Sequence, residues 1–266
     1  MARFQLGLNL DALGQPPRPG LMAAAKLGVD GVQLDAVGDL APDRLTATGR
    51  REFRTVLRGF NLRLAAVNCS FRRGLDVAED QQRRVEHVRK VMQLAVDVGC
   101  RAVVVPLPKL PGTEPTARDT VLREVLLDLS GFADRVGVRL AVEPGLDPGD
   151  AVAEYLSTFD TGGLAVCYDP ANFLLNRLDP LAALAAFGGR LATVHARDAR
   201  TATVSGGGAE VAVGAGDLDW FTVVATLDAL DYHGFLTVDR EGGPDRAGDV
   251  ASGVRFLRRF VPATAS

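Results

Sequence analysis

The sequence predicts an α/β fold, a (β/α)8 TIM barrel forming one domain over residues 1–266, on three observations. Short, β-branched apolar runs alternate with amphipathic stretches, and the pair repeats about every 30 residues. There are eight of each, the count of a closed barrel. The rival, a doubly wound sheet, normally opens on a phosphate-binding glycine turn, and the first loop, Asp11 to Pro19, lacks the GxGxxG spacing.

Taken in order, the strand-like runs fall near 3–10, 31–35, 63–69, 101–107, 139–143, 163–169, 191–195 and 235–239. Helical periodicity falls near 18–28, 43–59, 77–98, 116–136, 148–159, 179–187, 219–230 and 247–260. Asp179-Pro180 sets a capping carboxylate before proline at a first helical position, and Asp219 does the same before Trp220. Gly28, Gly59, Gly99 and Gly137 stand where a left-handed residue closes a helix.

Composition narrows the function classes. With 266 residues, 47% hydrophobic, the chain can bury one large core. A net charge of −3 with interspersed signs gives no reason to expect nucleic acid as the partner. There is no 18-residue apolar span and no signal-peptide pattern after Met1, so no membrane association is expected. Cys69, Cys100 and Cys167 form no CxxC pair and read as buried reduced thiols, which points to the cytoplasm.

Four strand-like runs in the second half end in a metal-ligand type: Glu143, Asp169, His195 and Asp239. If these side chains point to the barrel axis, Ala141, Cys167, Thr193 and Thr237 line the layer beneath, while Val142, Tyr168, Val194 and Val238 face the helices. Catalytic groups of such barrels sit at the carboxyl ends of the strands. Three carboxylates and one imidazole suit one divalent ion, Mn²⁺, Mg²⁺ or Co²⁺, with Zn²⁺ also compatible. Asn9, Gln33 and Asn68 end the first three strands as candidates for binding hydroxyls. Arg72 follows the third strand as a candidate for an anionic group, and Arg197 faces the site if the strand pleat continues.

The segments Val142-Glu143-Pro144, Tyr168-Asp169-Pro170-Ala171-Asn172, His195-Ala196-Arg197-Asp198, Gly214-Ala215-Gly216-Asp217-Leu218-Asp219-Trp220 and Gly234 to Glu241 resemble the xylose isomerase-like TIM barrels. Within them the chain looks most like the sugar phosphate isomerases/epimerases. The resemblance implies one metal held by Glu143, Asp169, His195 and a strand-8 acid, and proton transfer through an enediolate by Glu143 and Asp239. It also implies a small sugar or polyol substrate, with Asn172 among its contacts. Two positions depart from the pattern. Asp239 stands where Glu is usual, so Glu241 competes for the role, and Asn172 stands where several epimerases have His. A metal-dependent dehydratase or lyase, inosose- or dehydroshikimate-dehydratase-like, needs the same ligands, and a degenerate sugar-binding barrel needs fewer. Paired barrels are common among relatives, but no interface is readable that would decide for a homodimer.

Overall fold

In the computed structural model, which describes residues 4–112, 116–201 and 207–261, eight parallel strands close into a barrel. They are β1 (Gln5–Asn9), β2 (Gly31–Asp35), β3 (Arg63–Asn68), β4 (Ala102–Pro106), β5 (Arg139–Glu143), β6 (Leu164–Tyr168), β7 (Leu191–Ala196) and β10 (Phe235–Val238). The first strand pairs with both β2 and the last, β10, which removes any free edge. Two further strands, β8 (Asp198–Arg200) and β9 (Ala209–Val211), form an antiparallel hairpin over the carboxyl-end mouth. Its strands, three residues each, are too short to leave a periodic signal in the sequence.

Period-two packing divides the interior. Val142, Tyr168, Val194 and Val238 belong to the large core between strands and helices. Ala66, Ala102, Val104, Ala141 and Cys167 form a separate small cluster inside the barrel. Thr193 and Thr237 are fully buried and their hydroxyls lack a partner among the described residues. Small residues fill the axis because eight converging strands leave little volume there.

The outer helices are α1 (Pro17–Lys26), α2 (Ala47–Gly59), α3 (Gln81–Val98), α4 (Ala117–Val136), α5 (Gly149–Ser157), α6 (Pro170–Leu175), α7 (Pro180–Phe187), α8 (Trp220–Ala229) and α9 (Arg246–Leu257). Asp179 accepts from Leu181 and Ala182 amides, and Asp219 from Thr222, so both caps form as the sequence indicates. Gly28, Gly99 and Gly137 take positive φ, but the turn after α2 places Asn61, not Gly59, in the left-handed region. The short α6 is an addition to the expected eight helices. Its signal, Asp169-Pro170, repeats the Asp179-Pro180 signature. Helices α2 and α3 start about four residues later than periodicity suggested, at Ala47 and Gln81, because the loops before them carry apolar residues that extend the pattern. No helix of the described residues is long and apolar enough to cross a membrane.

Candidate metal centre and active site

Strand parity brings Glu143 from β5 and His195 from β7 to the barrel mouth, where Nδ1 of His195 lies 2.6 Å from Oε1 of Glu143. The other ring nitrogen, Nε2, lies 2.9 Å from Oε1 of Gln33, reaching across from β2. Cys167, one layer below, places its sulfur 3.9 Å from the same Glu143 oxygen. One ligand atom each of Glu143, Cys167 and His195 lies within 4.8 Å of the others, the one such group among the described residues. At these distances both ring nitrogens donate, Nδ1 to Glu143 and Nε2 to Gln33; loss of the Nδ1 proton would turn that nitrogen's lone pair toward the Glu143 side, the arrangement a metal-binding histidine needs. A carboxylate and an imidazole converging in this way fit a divalent cation.

Asp169 is placed differently. Its Oδ1 caps α6, accepting from the Ala171 and Asn172 amides at 2.9 and 3.3 Å. Its Oδ2 accepts from Nη1 of Arg197 at 2.7 Å. Arg197 sits between β7 and β8 with only 4% of its surface exposed. Its guanidinium also meets Oδ1 of Asn172 at 3.2 Å, Oε1 of Glu210 at 2.9 Å and Oε2 of Glu241 at 3.1 Å. Asp239 accepts from the Asn9 side-chain amide at 3.1 Å and from the Arg240 backbone amide at 2.7 Å. Thus Glu143 and His195 adjoin one another, whereas Asp169 and Asp239 stand on the same rim engaged with other partners. Strand β10 ends at Val238, so Glu241 no longer follows its pleat and turns to Arg197 instead.

The remaining candidates divide between mouth and rim. Asn68 donates to Oδ1 of Asp35 at 2.7 Å and to Ser70 at 3.2 Å. Asn172 and Glu143 line a cleft of about 200 Å³ with Pro106, Leu107, Leu146 and Asn176, which gives a small molecule a path to the carboxylate. Arg72 lies farther out, on a groove of about 550 Å³ shared by Arg83, His87 and Lys90. The residue that sequence reasoning missed is Glu210 on β9, which bridges Arg197 and Arg240, the latter at 2.9 Å. A single glutamate in a three-residue strand carries no periodic signal.

The Gly214-x-Gly216 element is explained by Asp198. Its carboxylate accepts from the Gly214, Gly216 and Leu218 amides and from the Trp220 indole N–H at 3.0 Å. A Cβ on Gly216 would overlap that carboxylate, and Gly214 needs φ of +85°. Asp198 therefore folds the loop that follows β9 and does not point at Glu143.

Electrostatics follow burial and pairing. Burial raises the Glu143 carboxyl, but the His195 charge and hydrogen bond, with Arg197, outweigh it and leave the pKa below the usual range. Burial opposes protonation of His195. Cys167, pushed up to about 12 by burial, is a neutral thiol at ordinary pH, so the Glu143 carboxylate is what holds His195 well above its usual value. Burial raises Asp169, against the attraction of Arg197. Glu143 and His195 thus form a charge pair at the mouth, the imidazole buried and the carboxylate partly exposed.

Residues 21–260 match the family described as xylose isomerase-like TIM barrel. No curated protein matches the chain. Among solved structures, a xylose isomerase domain protein from Planctomyces limnophilus is 26% identical, with 97% of each chain covered and a TM-score of 0.85. An IolI protein with a bound zinc atom is 15% identical over 99% of this chain and 100% of that one, with a TM-score of 0.78. A D-allulose 3-epimerase from Methylomonas sp., solved in complex with D-allulose, is 16% identical over 98% of each chain, with a TM-score of 0.75. The latter two likenesses bear on the fold. The match across 21–260, on a closed eight-stranded barrel, is decisive: the chain belongs to the xylose isomerase-like TIM barrel family.

Proposed function

We propose that the chain is a divalent-metal-dependent isomerase or epimerase acting on a sugar or sugar phosphate. The observation that carries this reading is the convergence of Glu143 and His195 at the mouth of a barrel of this family, beside a cleft that reaches Glu143. Glu143 and His195 would hold the ion, with Asp169 and Asp239 completing the set once they leave their present partners. Mn²⁺, Mg²⁺ and Co²⁺ suit the carboxylates, and the nearby thiol widens the choice to Zn²⁺. A bound cation supplies Lewis acidity to the carbonyl and hydroxyl oxygens of an α-hydroxy ketone or aldehyde. Gln33 fixes the ring of His195 from behind. Glu143, ionised at neutral pH, takes a proton from the carbon beside the carbonyl, and Asp239, three strands away around the barrel, stands to return one. Asn172 offers its amide to a substrate hydroxyl, and Asn68 lies along the same mouth.

A second reading, a sugar-binding barrel without catalysis, is favoured by one observation: Asp169 is already neutralised by Arg197. Incubating metal-replete protein with ketohexoses in heavy water separates the two. Isomerase or epimerase action places deuterium next to the carbonyl, and Glu143→Gln abolishes it. An enone product absorbing in the ultraviolet indicates dehydration instead. Absence of exchange with every ketose and aldose, in protein that retains its ion, refutes catalysis of this kind.

A further inference from the structure

The amino end of the barrel, opposite the candidate metal centre, holds a hollow of about 440 Å³ ringed by Arg54, Arg58, Arg63, Arg101 and Arg139. No aspartate or glutamate lines it, although acids outnumber Lys and Arg by 33 to 30 in the chain. The rim groove beside Arg72 differs, because Asp43, Asp80 and Glu86 share its wall with the cations. None of the five arginines has a carboxylate partner among the described residues. Arg139 donates to the Leu191 and Arg190 carbonyls at 3.0 and 3.1 Å, Arg58 to the Thr55 hydroxyl at 3.3 Å, and Arg63 lies 5.5 Å over the Phe235 ring.

The hollow has local causes. Arg54 and Arg58 are four residues apart and share a face of α2, while Arg63, Arg101 and Arg139 stand at or just before the starts of three neighbouring strands. An extra residue in β3 shifts its register against β2, so that both Leu64 and Ala65 face the hollow. Ala102 and Ala192 leave room where larger side chains would plug the barrel. The Phe235 ring lies against Gly31, where a Cβ would collide with it, and forms one apolar wall with Leu57 and Leu62.

We propose that this hollow is a second ligand site, for an organic phosphate carrying two or more phosphate groups. Guanidinium groups pair with phosphate through parallel N–H···O bonds. Five of them without internal acids repel one another until an anion enters, and a monoanion would leave most of that charge uncompensated. The volume suits a drug-sized molecule, and the Phe235 wall takes its apolar or ring portion. This inference does not rest on the activity proposed for the mouth.

The test is calorimetric titration of the full chain, held in EDTA so that no metal at the mouth recruits phosphate, with ATP, pyrophosphate and AMP as probes. One ATP binds per chain, pyrophosphate displaces it, AMP binds at least about tenfold more weakly, and raising salt from about 50 to 200 mM weakens all three. Arg54→Gln with Arg101→Gln, both exposed positions, weakens ATP at least about tenfold, and Arg101→Glu abolishes it. Arg83→Gln with Lys90→Gln on the rim groove leaves affinity unchanged. Lack of ATP binding by the native chain overturns the proposal. So does AMP binding as tight as ATP, unchanged affinity in both bottom-end variants, or equal loss in the rim variant.

Discussion

Arginine is used in opposite ways at the two ends of this barrel. At the mouth Arg197 is buried against Asp169, Glu210, Glu241 and Asn172, so that its charge is met by three carboxylates. At the amino end, five arginines share one hollow without a carboxylate among them. A closed ionic network fixes geometry: it holds Asp169, the β8–β9 hairpin and the residues after β10 in register over the site. An open one leaves charge for something outside the chain to neutralise. Charge count alone therefore says little about an arginine, and the number of acids on its own wall says much.

The largest break in this contrast is Arg197→Met. It strands the fully buried Asp169 carboxylate and unties Glu210 and Glu241, and we expect a loss of about 3–5 kcal/mol in urea unfolding. A loss below about 1 kcal/mol would mean that the network is not held as a unit. Next comes Gly216→Ala, whose methyl group overlaps the Asp198 carboxylate. It should cost about 1–3 kcal/mol in the same measurement and disturb the Trp220 fluorescence, since the indole shares that carboxylate.

A third effect concerns pH in metal-free protein. The folded pKa of His195 is raised above 6.5, so its contribution is full below 6.5 and is lost as pH rises through the folded value. The folded pKa of Glu143 is lowered below 4.5, so its contribution is full above 4.5 and is lost as pH falls through the folded value. The stability gap between the native chain and Glu143→Gln should thus be widest between 4.5 and 6.5 and close on both sides. A gap independent of pH would show that the two groups are not a charge pair. The smallest effect belongs to the amino end, where Arg101→Gln should change stability by no more than about 0.5 kcal/mol, because no partner is lost.

The contrast also explains what sequence could reveal. The eight-stranded barrel follows from period-two strands with small residues inward and β-branched ones outward, a rule that Ala141, Cys167 and Val142 obey residue by residue. That Glu143 and His195 meet at the mouth was readable because strand ends define position. The engagement of Asp169 was not, because it depends on α6 capping one oxygen and on Arg197 reaching the other from beyond the end of β7. Glu210 and the hairpin carrying it were hidden by brevity, since three residues give no periodicity. Gln33 was expected to meet substrate, yet its carbonyl oxygen is committed to His195, a contact between residues 162 positions apart that no local pattern records. The arginine hollow assembles from α2 and three strand starts, and only the closed barrel brings them to one place.

Crystals of the chain soaked in Mn²⁺ and recorded at the manganese absorption edge address the mouth most directly. One anomalous peak within coordination distance of Glu143 and His195, with the Asp169 carboxylate turned from Arg197 toward it, is the expected result. No peak there, with the Asp169–Arg197 pair intact at saturating ion, would contradict the assignment of a metal centre to this barrel.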